Sequence, residues 1–202
     1  MKFLAIPATV LTAGLIGALF TGQSEAVSPS VENTEYVVDA SHTAVIFRVK
    51  HFGLAWARGT FNEVSGEVSF DPEAPTEAEV SFVIKTDSID TNAEQRDNHL
   101  RGPDFFLVKQ FPELKFESKS VKAGKDGNLL VDGVISWRGH EVETTATLEH
   151  TGEGPSPSRR PAHGFHAELM IKRSDFGMEY GLPDLLGDDV YIEIDTEVIE
   201  KR

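Results

Sequence analysis

Within four consecutive residues the chain sets a guanidinium, a carboxylate and an imidazole, Arg96-Asp97-Asn98-His99. A histidine beside an acid is the usual equipment of general acid–base catalysis. The same three residue types more often fix a short helix against a sheet through hydrogen bonds and an ion pair, and that structural role is the first reading here. Seven histidines raise the question of metal. His163 and His166 are three apart, and on a strand an odd spacing points side chains to opposite faces. The same objection applies to His42 and His51, so spacing assigns no metal site, and only convergence from different strands would make one. There is no G-x-S-x-G nucleophile elbow and no glycine loop able to cradle a phosphate. Arg173-Ser174-Asp175 reads as a turn. Cysteine is absent, which excludes disulfides, a lipid-modified cysteine and thiolate metal sites.

These residues need elements to hold them, and composition bounds what those can be. Residues 1–26 carry one cation (Lys2), an apolar run to Phe20 and the small-x-small ending Ser24-Glu25-Ala26. They read as a secretory signal peptide cleaved after Ala26, with Pro7, Gly14 and Gly17 weakening any reading as a retained anchor. Residues 27–34 read as a polar linker and 35–202 as one domain. A net charge of −14 disfavours nucleic acid and anionic membrane surfaces, which demand clustered cations.

Period-two alternation predicts eight strands, at 36–50, 55–70, 78–86, 113–122, 128–138, 141–150, 164–173 and 189–199. The stretch 36–61 reads as a long hairpin, with Val45, Phe47 and Val49 on one face and Ile46, Arg48 and Lys50 on the other. Turn chemistry separates the strands at Asp71-Pro72, Asp126-Gly127 and Arg138-Gly139, and the segment 152–162 reads as a mobile low-complexity loop with Arg159 and Arg160 solvated. Residues 93–100 favour helix until Gly102-Pro103. The prediction is an all-β fold: an eight-stranded antiparallel lipocalin-like barrel with one short helix between strands three and four. Its inward set is long, apolar and aromatic: Phe47, Val49, Phe70, Val80, Phe82, Ile84, Phe116, Ile135, Trp137, Leu148, Phe165, Leu169, Ile171, Ile192 and Ile194. Eight strands enclose either a packed core or room for one small ligand, and periodicity does not choose between them.

A resemblance does choose. Asp39, His42-Thr43, Val45, Phe47, Val49 and His51 are similar to the opening of the YceI family. Gly59-Thr60-Phe61 looks like its Gly-x-Phe. Ser88-Ile89-Asp90-Thr91, then Arg96-Asp97-Asn98-His99-Leu100 and Asp104-Phe105-Phe106, match its most specific block. The stretches 111–118, Arg173 to Gly177 and Gly187 to Val190 resemble its later motifs. One position departs: Arg138-Gly139-His140-Glu141-Val142 stands where the family has a Gly-Val-Thr-Lys turn. The resemblance implies a secreted or periplasmic bacterial barrel that holds a long isoprenoid or other lipid chain against the inward residues named above. It implies no cofactor, no metal, no nucleic acid and no membrane span once the presequence is removed, and it is compatible with a homodimer. The rivals are an envelope enzyme using Arg96, Asp97 and His99 on a lipid head group, and a filled structural barrel.

Overall fold

The computed structural model describes residues 33–202, so the expected signal peptide lies outside the described residues. The strands are β1 (Thr34–His51), β2 (Ala55–Phe61), β3 (Val64–Phe70), β4 (Glu79–Lys85), β5 (Ile89–Asp90), β6 (Glu113–Ala123), β7 (Leu129–Trp137), β8 (His140–Pro155), β9 (Pro161–Lys172) and β10 (Leu186–Glu200). Eight of them form the ring β10-β9-β8-β7-β6-β4-β3-β1, and pairing of β1 with β10 closes it. All these pairings are antiparallel. The one α-helix among the described residues, α1 (Glu94–Leu100), falls between the third and fourth strands of the ring, as predicted. Among the described residues no helix is long and apolar enough to cross a membrane.

Alternation explains most of the ring. In β7 the residues Leu129, Val131, Gly133, Ile135 and Trp137 are buried and those between them are not. Such a strand has one face that must leave water and one that need not. Three expectations need correction. The strand predicted over 55–70 is two strands in one line along β1: the backbone N–H groups of Asn62 and Glu63 donate to Ser88 Oγ (3.1 and 3.0 Å) instead of continuing the ladder. The regular strand predicted over 36–50 carries a bulge. Asp39 faces Glu197 and Thr43 faces Thr196, so Ala40, Ser41 and His42 are extra. An odd insertion inverts parity, which is why Tyr36 and Val38 are buried together with Val45 and Val49. Third, 152–162 is not a loop. β8 and β9 stay paired out to Pro155 and Pro161, leaving 156–160 as the turn. Arg160 is not merely solvated, since its guanidinium donates to the Glu200 carbonyl (2.7 Å) and ties this turn to β10.

Gly59 is among the glycines fixed by crowding. A Cβ on Gly59 would sit 2.6 Å from the Phe47 ring and 2.7 Å from Thr91 Cγ2. Gly59→Ala must push Phe47 off its packing, and a loss of about 1–3 kcal/mol is expected in chemical denaturation. A variant as stable as the parent would show that Phe47 has room to move.

Candidate functional site

The barrel is not filled. Two apolar chambers occupy its interior, one of about 100 Å³ and one of about 70 Å³. Both are walled by Ile84, Leu114 and Ile192, so these three form a waist where the chambers meet. The larger chamber runs between residues such as Phe70, Phe82, Phe116, Leu148, Phe165 and Ile194. The smaller is set among Phe47, Val49, Phe61, Phe106, Trp137 and Ile171. No polar atom faces into either. Close-packed interiors leave few voids larger than a water molecule, so open volume on this scale sets the interior apart from an ordinary core.

All fifteen inward residues expected from strand parity line one chamber or the other: Phe70, Val80, Phe82, Phe116, Ile135, Leu148, Phe165, Leu169 and Ile194 the larger, Phe47, Val49, Trp137 and Ile171 the smaller, and Ile84 and Ile192 both. Parity alone extends the set to Val68, Leu114 and Val131. It has no means of finding Leu100, Phe105, Phe106 and Met178, which close the smaller chamber from segments outside the strands. A signal existed in the apolar pair Phe105-Phe106 inside an otherwise polar stretch.

The polar triplet does not assemble as a catalytic group. Asp97 is buried and accepts from the Thr91 N–H (2.9 Å) and from the Thr91 hydroxyl. Arg96 donates to Thr91 Oγ1 (2.7 Å) and to the Thr91 carbonyl (2.6 Å). Both thus pin α1 to the end of β5 through Thr91, and the ion pair expected between neighbours is replaced by this shared partner. His99 turns elsewhere, to Asp104 Oδ2 (2.9 Å), with its ring edge-on to Phe105 and Tyr180. None of the three lines a chamber.

Two arginines shape the narrow end. Arg173, 3% exposed, spreads its guanidinium over the carbonyls of Gly187 (2.8 Å), Met178 (2.8 Å) and Leu186 (2.9 Å). The turn it opens is fixed by Asp188, which accepts from the Ser174 N–H (2.9 Å) and hydroxyl (2.8 Å). Arg138, in the departing turn after β7, donates to the Phe176 carbonyl (2.9 Å) and to the Phe105 carbonyl. It thereby ties together two segments that cover the smaller chamber.

The β1 bulge gathers Asp39, His42 and Glu197 on the outside of the barrel. Hydrogen bonds from Ser41 and His42 hold the Asp39 carboxyl at a pKa of about 2, and Asp39 in turn raises the His42 imidazole. A depressed carboxyl contributes stability that is complete above its unfolded value near 3.8 and lost as pH falls through about 2. The raised imidazole works the other way, contributing below its unfolded value near 6.5 and losing that contribution as pH rises through the folded one. In urea titrations, the advantage of the parent over Asp39→Asn is expected to shrink by roughly 1–2 kcal/mol between pH 4 and pH 2, allowing for partial exposure. A constant difference would show that the bulge does not depend on this charge.

With the chambers and their lining in place, comparison with known proteins gives consistent answers. The family model described as YceI-like domain matches residues 36–198. A UPF0312 protein of Yersinia pestis is 36% identical over 165 residues, covering 81% of this chain and 83% of its own. Among solved structures, Burkholderia cenocepacia BcnA superposes with a TM-score of 0.72 at 23% identity, covering 79% of this chain and 98% of its own. A polyisoprenoid binding domain from Saccharophagus degradans, implicated in plant cell wall breakdown, superposes with a TM-score of 0.61 at 14% identity, covering 82% and 98%. The last two establish the fold. A family match spanning the whole ring from β1 to β10, together with a relative at this identity, places the chain in the YceI-like domain family.

Proposed function

We propose that this protein binds a long-chain lipid, an isoprenoid or a chain of similar shape, non-covalently inside its barrel and carries or stores it in the bacterial envelope. The observation that carries the reading is the two-chambered apolar interior, open at both sides of the Ile84–Leu114–Ile192 waist. The name of the Saccharophagus domain, which shares the fold, supports the same ligand class. Two small chambers sharing the walls Ile84, Leu114 and Ile192 suit a flexible chain that can pass from one to the other. At ~0.8 kcal/mol per buried CH₂, ten such groups contribute about 8 kcal/mol before the costs of association. Affinity then resides in the tail, and head groups of different chemistry are tolerated.

Lipid extraction and mass spectrometry of protein purified from its own host test this directly. One long-chain lipid per barrel is expected. An empty barrel that also fails to take up a lipophilic fluorophore would establish the structural alternative. A second measurement addresses the waist. Ile84→Trp fills the constriction, so retention of long chains is expected to fall at least about tenfold, the equivalent of 1.4 kcal/mol, while the fold persists. His99→Gln, at a residue that lines neither chamber, is expected to leave lipid content unchanged. A lipid-loaded His99→Gln protein that had lost a measurable turnover would overturn the reading in favour of an enzyme.

A further inference from the structure

At the wide end of the barrel two histidines converge from neighbouring strands. His150 on β8 and His163 on β9 place Nε2 and Nδ1 3.1 Å apart. Strand parity sets His150 on the face of Leu148 and His163 on the face of Phe165; the extra residue Thr151 acts only beyond them, since His150 lies opposite Phe165 and after the bulge Glu153 lies opposite His163. The bulge swings Glu153 onto the face shared by His150, His163 and Phe165, and Glu153 Oε2 comes within 3.8 Å of His163 Nδ1. His163 is 5% exposed, while His150 and Glu153 face solvent and give access from outside.

We infer that His150, His163 and Glu153 form a binding site for a late first-row divalent cation such as Zn²⁺ or Cu²⁺. Two imidazole nitrogens each about 2.0–2.1 Å from one ion at a tetrahedral angle stand roughly 3.3–3.4 Å apart, a few tenths of an ångström more than the 3.1 Å found. Imidazole and carboxylate oxygen together suit these ions. The second ring nitrogen of His163 is already held: Nε2 lies 3.1 Å from the Tyr36 hydroxyl. With its proton on Nε2, donated to Tyr36, His163 presents the Nδ1 lone pair toward His150, the outer-sphere arrangement that orients most metal-bound histidines. Burial, followed by the neighbouring His150, lowers the His163 pKa and keeps the ring in its ligating neutral form. The ion takes the place of the proton shared between the two rings, the exposed His150 and Glu153 side chains swinging inward to complete the sphere. Asp71, Glu153 and Glu200 surround Tyr36 with negative charge, a field that favours a cation. The rings of Phe70 and Phe165 pack on both histidines at 5.3–6.4 Å between centroids and also wall the larger chamber, so the site sits at that chamber's mouth. The other candidate cluster, Asp39-His42-Glu197, has its histidine nitrogen committed to Asp39 at 2.9 Å and is the natural control.

The test uses tag-free protein from residue 27 onward, titrated calorimetrically with Zn²⁺ and by electron paramagnetic resonance with Cu²⁺. One equivalent is expected to bind, with nitrogen hyperfine structure from two imidazoles. His150→Ala, at an exposed position, is expected to weaken it at least about tenfold, His163→Phe to abolish it, and His42→Gln to leave it unchanged. Should His163→Phe fail to fold, chemical-shift changes of the His150 and His163 ring protons on adding Zn²⁺ to the parent decide the matter. Absence of saturable binding, or binding that survives His150→Ala at full affinity, overturns the proposal. So does binding lost in His42→Gln.

Discussion

Phe82→Asp is expected to unfold the barrel or cost it at least about 4 kcal/mol, while Ser81→Asp beside it costs no more than about 1 kcal/mol. Phe82 is 9% exposed and walls the larger chamber, where no polar atom is available to answer a carboxylate. Removing the ring forfeits the energy of a large buried aromatic, and the new charge has neither partner nor water. Ser81 points to the outer face between Glu67 on β3 and Glu117 on β6, so an acid there suffers only cross-strand repulsion in solvent. Thermal melts of the two variants, with lipid content measured alongside, check the pair. Equal tolerance would mean that β4 can slip by one residue, which its pairing on both edges opposes.

The second large effect is expected at Arg173. Arg173→Ala withdraws the donors of three backbone carbonyls, those of Gly187, Met178 and Leu186, in a place where water cannot readily replace them. At about 1–3 kcal/mol for each buried acceptor left unmet, and with some relaxation of the turn, the loss should reach roughly 3–5 kcal/mol. Arg173→Lys should recover little of it, because an ammonium on a flexible stem cannot reach three carbonyls set around a planar fork. Guanidinium denaturation of the two variants decides. Near-parental stability of the lysine variant would show that charge rather than geometry matters here.

The contrast between β7 and β1 shows what sequence can and cannot disclose. In β7 parity assigns every face correctly, because an uninterrupted ladder ties the identity of a face to odd or even number. In β1 the three extra residues at 40–42 break that tie, and no local pattern says how many residues a bulge contains. The same failure hides the approach of Glu153 to His163, since Thr151 shifts the count in β8 beyond His150. The widest gap lies in the segments that close the smaller chamber. Leu100, Phe105, Phe106 and Met178 reach it through turns held by Arg96, Asp97, Arg138 and Arg173, and such turns have no period to read. Of these polar residues, Arg96 and Asp97 look catalytic in sequence because buried hydrogen-bonding side chains and reactive ones are drawn from the same few types.

The seam between β1 and β10 also governs when the molecule can come into being. Tyr36 pairs with Glu200 and His51 with Leu186, so the first strand of the ring gains its second neighbour only from the last. A chain delivered from its N-terminus must wait for residues 186–200 before the apolar wall of β1 is covered, and the loop to be closed spans nearly the whole domain. Closure of the ring is therefore a late step, and until β10 arrives the β1 residues Val45, Phe47 and Val49 lack their partners across the seam. The same geometry makes β10 the strand that a crowded population of newly made chains can trade: one copy's β10 completes another's ring with every native pair intact, so the route to assembly errors runs through exchange at this seam.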